Sequence, residues 1–303
     1  MHLPSVTLNL TPKMKKQRLS LATLCSLLLC AALPAAAPQS VTPQHESPIA
    51  VQMYTLRSMQ TLEAQLAAVK AADVTAIEIF GNQGVSAQEL KSLLGKYGLK
   101  VVSAHVELSA LRECFDAQIA FNKEIGNRVL VVPALILSQM PGTDPAGWAE
   151  AGWYLGEMAR RVEAEGMLLV YHNHSYELAD FGGKTGLEIM FAAAGPSLQV
   201  ELDMSWVARA GYDPVDMLER FSGRVFAIHA KDRAPTGKAD NHLGLADVGS
   251  GILDWAAILP AAVKAGAQWV IIEHDLPRDP AASVKASAAY LNALFSKAAS
   301  LAK

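Results

Sequence analysis

From residue 49 onward the chain alternates short, β-branched apolar runs with longer stretches whose apolar residues recur at helical spacing. The runs are IAVQMYTL (49–56), TAIEIF (75–80), KVVSAHV (100–106), RVLVVPAL (128–135), MLLVYHNH (167–174), LQVELDMS (198–205), RVFAIHAKD (224–232) and WVIIEHD (269–275). They are nearly continuous rather than strictly alternating, as strands of a parallel sheet covered on both faces should be. Between them, Leu62, Leu66 and Val69 fall on one helical face, as do Leu90, Leu93 and Leu94, and Trp255, Ile258, Leu259 and Val263. Val284, Leu291, Leu294 and Phe295 predict a closing helix. Gly95, Gly126, Gly166 and Gly223 precede strands, where a left-handed residue can end a helix. Eight βα units in about 250 residues predict an α/β chain folded as a single-domain (β/α)8 TIM barrel over residues 48–303. A doubly wound open sheet is the alternative, but no Gly-x-Gly-x-x-Gly follows the first run. The segment VGSGILDW (248–255) is glycine-rich, yet it follows a long loop and is a weak phosphate cradle.

A barrel gathers its chemistry at the C-terminal ends of its strands. Those ends carry Gln52 and Tyr54, then Glu78, then His105 and Glu107. The fifth run ends in His172, Asn173 and His174, with Glu177 just beyond. The last three carry Glu201 and Asp203; His229, Lys231 and Asp232; and Glu273, His274 and Asp275. The fourth, ending at Pro133, is bland. Alternation puts Phe226, Ile228 and Ala230 on one face of the seventh run and Ala227, His229 and Lys231 on the other. Period alone does not say which face is inward. A lone strand histidine is more often a hydrogen-bonded core residue. His172, Asp203, His229 and Glu273, however, occupy matched positions on runs five to eight. Together they could hold one divalent metal ion, with Mn2+, Co2+, Fe2+ or Zn2+ favoured over Mg2+ by the mixed imidazole and carboxylate donors.

Composition narrows the partners. The chain has 303 residues, 51% apolar, with a net charge of −3 and no basic stripe, so a nucleic-acid partner is disfavoured. Lys13, Lys15, Lys16 and Arg18 precede an apolar run and a small-residue exit, which predicts a signal peptide over residues 1–37 and a flexible leader over 38–47. A membrane anchor is the weaker reading, because the run is short for a span. Export, with a periplasmic destination, is therefore expected, with no membrane contact after cleavage; a homo-oligomer is compatible with the sequence. Cys25 and Cys30 leave with the signal, so the remaining Cys114 can form no internal disulfide. It is expected to pack on a helix.

The motifs VQMYTLR, AIEIFG, LDMSW, IHAKD, VGSGILDW and IIEHD, in this order, resemble those of the xylose isomerase-like barrels, usually labelled sugar phosphate isomerases/epimerases. The likeness spans residues 48–299. It implies one or more divalent metals held by Glu, Asp, His and Glu from strands five to eight. Asp203, His229 and Glu273 match three of these positions, while His172 stands where a glutamate is usual. The YHNH segment is similar to the fifth-strand motif of a subset that includes inosose dehydratases, which eliminate water from a keto-cyclitol.

Epimerisation beside a carbonyl is well served by two flanking carboxylates, one base and one acid. Here one of the pair is replaced. A base plus a Lewis-acid metal suffices for enolate formation followed by loss of a β leaving group. Glu273 is expected to take the proton or to hold the metal, His105 and His174 to protonate a departing oxygen, and Lys231 to bind a hydroxyl or steady the enolate. Alternatively, Lys231 pairs only with Asp232 or Glu201. Gln52, Tyr54, Glu78, Asn173 and Trp206 are expected at the substrate, Trp206 by packing on a sugar face, although Glu78 and Glu201 also suit a structural role. With export and no arginine cluster at the strand ends, the expected substrate is an unphosphorylated sugar or keto-sugar. The reaction is isomerisation or epimerisation, or else β-elimination on a 3-keto-glycoside or keto-cyclitol. A non-catalytic exported sugar-binding barrel is the remaining alternative. A DNA-cutting branch of the same barrel is disfavoured by the acidic balance.

Overall fold

The computed structural model describes residues 47–135, 141–142 and 144–301. The expected signal segment, and the leader up to residue 46, lie outside the described residues. Eight parallel strands form a closed barrel: β1 (Ile49–Gln52), β2 (Ala76–Phe80), β3 (Lys100–His105), β4 (Val129–Val132), β5 (Leu168–His172), β6 (Leu198–Asp203), β7 (Val225–Ala230) and β10 (Trp269–Ile272). β10 closes the cylinder by pairing with both β7 and β1. A two-stranded antiparallel ribbon, β8 (Asp232–Arg233) with β9 (Leu245–Ala246), rises from the loop after β7. All eight apolar runs became barrel strands, shorter than the runs because their polar ends turn into loops.

The surrounding helices are α1 (Leu62–Ala71), α2 (Ala87–Tyr97), α3 (Leu108–Glu113), α4 (Phe115–Glu124), α5 (Pro145–Ala164), α6 (Gly186–Ala194), α7 (Met204–Arg209), α8 (Pro214–Arg220), α9 (Trp255–Ala265) and α10 (Pro280–Leu301). Their starts are specified locally. Thr61 caps α1 and Ser86 caps α2 by accepting a backbone N–H, and Thr185 with Glu188 forms a reciprocal capping box on α6. Among the described residues no helix is long and apolar enough to cross a membrane.

Two apolar layers hold the fold. The larger lies between strands and helices and includes Leu66, Val69, Ile77, Leu90, Leu155 and Ile258. The smaller fills the cylinder itself with Ala50, Ala76, Val131, Val170, Phe226, Ala227 and Ile271. These inner residues, Phe226 apart, share strand parity with Gln52, Glu78, His172, His229 and Glu273. The alternation therefore stacks an apolar plug below a polar layer at the C-terminal end of the barrel. Two register shifts adjust it. Val102 is the extra residue opposite the Ile77–Glu78 step, and Phe226 is the extra residue opposite Val200–Glu201. The second bulge turns Phe226 into the inner cluster, so it does not share a face with Ile228 and Ala230 as strict alternation predicts.

Other local expectations are also corrected. Gly126, Gly166 and Gly223 do take positive φ, but α2 runs through Gly95 and ends at Gly98 (φ 64°), one turn later. Val263 is 61% exposed, because the buried face of α9 is carried by Trp255, Ile258, Leu259, Ala262 and Ala265. Cys114 is exposed and sits at the junction of α3 and α4 instead of packing inside. The long helix α5 lies tightly on α6: a Cβ at Gly152 or Gly156 would overlap the carbonyl oxygens of Met190 or Ala194.

Candidate active site and metal centre

The strand register brings the sequence-predicted donors together. His172 pairs in register with Glu201 across β5 and β6, and Asp203 with His229 across β6 and β7. One donor atom from each of His172, Asp203, His229 and Glu273 lies within 4.8 Å of every other, and all four residues are buried. His105, His172, Glu201 and His229 form a second such group, sharing two histidines with the first.

Beneath the donors lies a network that the expected ligand set did not include. Glu78 Oε1 accepts from Gln52 Nε2 (2.7 Å) and faces His105 Nε2 (3.0 Å) and His229 Nε2 (2.8 Å), while its Oε2 accepts from Ser103 Oγ (2.6 Å). Glu201 Oε1 lies 2.8 Å from His229 Nε2, 3.1 Å from His105 Nε2 and 3.2 Å from His172 Nδ1. Above, His229 Nδ1 meets Glu273 Oε2 at 2.9 Å. Lys231 Nζ stands 2.7 Å from Glu273 Oε2, 2.7 Å from Asp275 Oδ2 and 3.1 Å from Asp203 Oδ2. The lysine thus pairs with these three carboxylates and not with Asp232 or Glu201. Buried charge is tolerated only when it is paired in this way.

Burial and charge oppose one another here. Burial would lower the His105 and His229 pKa values, but the carboxylates outweigh it: Glu78 and Glu201 raise His105 to about 9, and Glu201 and Glu273 raise His229 well above its usual value. Burial, with His229 alongside, pushes His172 well below the ordinary range. Burial and then Lys231 lower His174 to about 4. Burial lifts Asp203 to about 6 against the pull of Lys231 and His229. For Glu273 burial is overcome by Lys231 and His229, which hold the carboxylate ionised. The principle throughout is that desolvation disfavours charge and an opposite neighbour restores it.

Asp203 is positioned from both sides: its N–H donates to Asn173 Oδ1 (3.0 Å), and its Oδ1 caps α7 by accepting from Trp206 N (2.9 Å). Its Oδ2 is buried, and the group facing it is the Lys231 ammonium at 3.1 Å. Two carboxylates and two imidazoles gathered around one point, balanced by a lysine cation, are a donor set that fits a divalent ion. The set His105, His172, Glu201 and His229 fits less well, because Glu201 Oε1 already faces three ring nitrogens. The end of β5 is held by Glu177, whose oxygens accept from Tyr171 Oη and His174 N, both at 2.8 Å.

A cavity of about 460 Å3 opens over this cluster. His105, His172, His174, Glu273 and Asp275 form its polar wall, and Tyr54, Phe80 and Pro133 its apolar one. That volume suits a small-molecule ligand.

Residues 66–294 match the family described as xylose isomerase-like TIM barrel. The chain belongs to this family. The chain is 22% identical over 249 residues to the rhizopine catabolism protein MocC of Rhizobium meliloti, covering 72% of this chain and 75% of that one. A solved sugar phosphate isomerase/epimerase from Parabacteroides distasonis superposes with a TM-score of 0.65 at 21% identity, over 80% of this chain and 92% of that one. The probable 3-DHS dehydratase AsbF from Bacillus anthracis gives 0.64 at 14%, over 80% and 98%. The IOLI protein, solved with a zinc atom, gives 0.65 at 15%, over 82% and 98%. At these identities the solved structures show a common fold.

The expected residues divide by depth. His105, His174, Glu273 and Tyr54 line the cavity. Gln52, Glu78 and Asn173, expected at the substrate, are fully buried and absent from the cavity wall; they hold the donors instead. Trp206 is also beneath the wall, 9% exposed, with its ring 5.5 Å from that of His174 and 5.2 Å from Lys231 Nζ. It is not placed to pack on a sugar. Lys231 is 1% exposed and lies behind Glu273 and Asp275. Phe80, Glu107 and Asp275 line the cavity without having been assigned a role from sequence. Glu107 and Asp275 could have been found as ionisable strand-end residues; Phe80 carried no such signal.

The glycine-rich segment 248–255 is no phosphate cradle. The N–H groups of Gly249, Gly251 and Leu253 and Trp255 Nε1 all donate to the buried Asp232 carboxylate, at 2.8–3.2 Å.

Proposed function

We propose that the protein is a divalent-metal-dependent enzyme that removes a proton beside the carbonyl of an unphosphorylated sugar or keto-sugar. The observation that carries this reading is the convergence of His172, Asp203, His229 and Glu273, of which His172 and Glu273 reach the cavity wall. These four would hold the ion, which when bound supplies Lewis acidity to a ketone and its neighbouring hydroxyl. Glu273 Oε2 is already engaged by His229 and Lys231, so the proton falls to His174, which lines the cavity and which burial and Lys231 keep neutral. His105, on the same wall and backed by Glu78 and Glu201, returns a proton to carbon or gives one to a leaving oxygen. Asn173 and Glu177 keep the β5 end in place, and Tyr54 and Phe80 shield the ring from water.

The replacement of a fifth-strand carboxylate by His172 favours elimination over two-base epimerisation as the second reading. In that reaction the α-proton leaves, the bond to the β oxygen breaks with its electron pair on oxygen, and a carbon–carbon double bond remains. The basic and apolar pattern of residues 13–37 supports export, and with it a substrate free of phosphate.

The test is elemental analysis of the purified protein and of Asp203→Ala, together with deuterium exchange at the carbon beside the ketone of a candidate keto-sugar. The expected result is one ion per chain in the wild type, loss of most of it in the variant, and exchange that requires the ion. Stoichiometric metal in Asp203→Ala, or exchange untouched by chelation, overturns the reading.

A further inference from the structure

Beside the cavity over the cluster lies a second one, of about 360 Å3, lined by Arg57, Leu62, Gln65, Asn82 and Gln83 among others. The two share Phe80 and Gly81 as a common wall. Each has the size of a small-ligand site in its own right, so a single sugar ring over the donors leaves the second space unfilled.

The groove is built in advance of any ligand. Arg57 stacks its guanidinium 3.7 Å from the centroid of the Tyr54 ring and donates to the carbonyl oxygens of Tyr54 and Asp275, which ties the loop after β1 to the loop after β10. Tyr54 meets Phe80 edge to face, with centroids 5.5 Å apart. The loop after β2 carries left-handed backbone at Gly81, Gln83 and Gly84 within four residues. Gln83, at φ 58°, is the costly one; its Nε2 is held by the Phe80 carbonyl at 2.8 Å. Strain of this kind persists where the surroundings enforce it, and it clusters at ligand sites.

The chemistry of the wall selects the occupant. Three side-chain amides and a guanidinium offer hydrogen bonds beside aromatic surface, and no carboxylate lines the groove. One arginine already bonded to two carbonyls is not a phosphate clamp, which would call for bidentate, unengaged guanidinium. A neutral ring with hydroxyls or a flat face suits it.

We propose that this groove is a second subsite, holding the O-linked group of a glycoside whose reactive ring sits over His172 and Glu273. The inference rests on the keto-sugar reading above and names its substrate class: a glycoside, not a free monosaccharide. In the elimination reaction the O-linked group is the leaving group. The C1–O bond breaks with its electrons on that oxygen, C1=C2 forms as the C2 proton is lost, and the released alcohol takes up one proton.

The experiment compares methyl and phenyl 3-keto-glucosides, both anomers, on the metal-loaded protein, with binding read by calorimetry and reaction by loss of the glycoside. The variants are Leu62→Trp, which fills the groove from the start of α1, and Gln83→Gly, which removes an amide while keeping the left-handed backbone; thermal melts report their folding. The phenyl compound is expected to bind at least about tenfold more tightly than the methyl, and that ratio to fall towards one in each variant. Equal binding of the two compounds, a preference that survives Leu62→Trp in folded protein, or no binding of either overturns the subsite. If both are consumed without preference, the keto-sugar reading stands and the subsite falls. If the phenyl compound is preferred but neither reacts, the subsite stands and the catalytic reading falls.

Discussion

Asp203 and His229 face each other in the register of neighbouring strands, with Oδ2 4.0 Å from Nδ1. That gap is too long for a hydrogen bond, so the two groups do not satisfy one another. His229 also lies between Glu273 on one side and Glu78 and Glu201 on the other. His229→Leu should therefore both abolish stoichiometric metal and destabilise the chelated protein, by about 3–5 kcal/mol, because three buried carboxylates lose their shared partner. Urea denaturation in chelator reads the second effect; a change below about 1 kcal/mol would show that the carboxylates do not depend on this ring.

Lys231 touches the same carboxylates as the proposed ion, Asp203 and Glu273. Lys231→Met should lower the stability of metal-free protein by about 3–5 kcal/mol. Added Mn2+ or Zn2+ should then raise the melting temperature of the variant by more than that of the wild type, since the cation returns charge to a site left with an excess of carboxylate. Equal shifts in the two proteins would separate the lysine from the metal.

Glu177 gives a pH prediction away from the ligands. Burial raises its pKa from 4.5 to about 7, against hydrogen bonds from Tyr171 and His174 N that favour the ion. A carboxyl raised on folding contributes its full stability below the unfolded pKa and loses it as pH rises through the folded value. The wild type should thus lose up to about 3 kcal/mol relative to Glu177→Gln between pH 4.5 and pH 8. Parallel melting curves across that range would mean that Glu177 is ionised throughout.

Gly152 admits no side chain. A Cβ there would overlap the Met190 carbonyl, so Gly152→Ala should separate α5 from α6 and cost about 1–3 kcal/mol, read by thermal denaturation. Gly95→Ala, in open space within α2, should leave stability unchanged or raise it slightly.

The convergence of His172, Asp203, His229 and Glu273 was legible because a parallel barrel turns sequence into position: apolar runs mark the strands, and the first polar residues after them mark the mouth. Inward parity then followed from His172, Asp203, His229 and Glu273 being chemically alike. The layer beneath was less legible. Glu78 and Glu201 read equally well as substrate contacts or as supports, and only the register decides that they sit below the cavity. Phe226 was misassigned because one inserted residue in β7 reverses the face of its neighbours, and nothing in the local sequence marks the bulge. Val263 differs for a plainer reason: a helix's period fixes spacing, while the covered arc depends on the strand it meets; Gly95 differs because a second glycine one turn on, Gly98, takes the left-handed end of α2. Leu62→Trp and Gln83→Gly concern a groove with no signature at all, since it arises between the connections that follow two neighbouring strands, β1 and β2.

The carboxylate of Asp232 converts a motif into its opposite. Backbone amides converging on oxygen ordinarily advertise a vacancy for a nucleotide or free phosphate, and a pattern search would score VGSGILDW accordingly. In this barrel the tenant is covalently part of the landlord: the anion arrives on the seventh strand, never leaves, and fastens the longest connection at the mouth without any exchange with solvent.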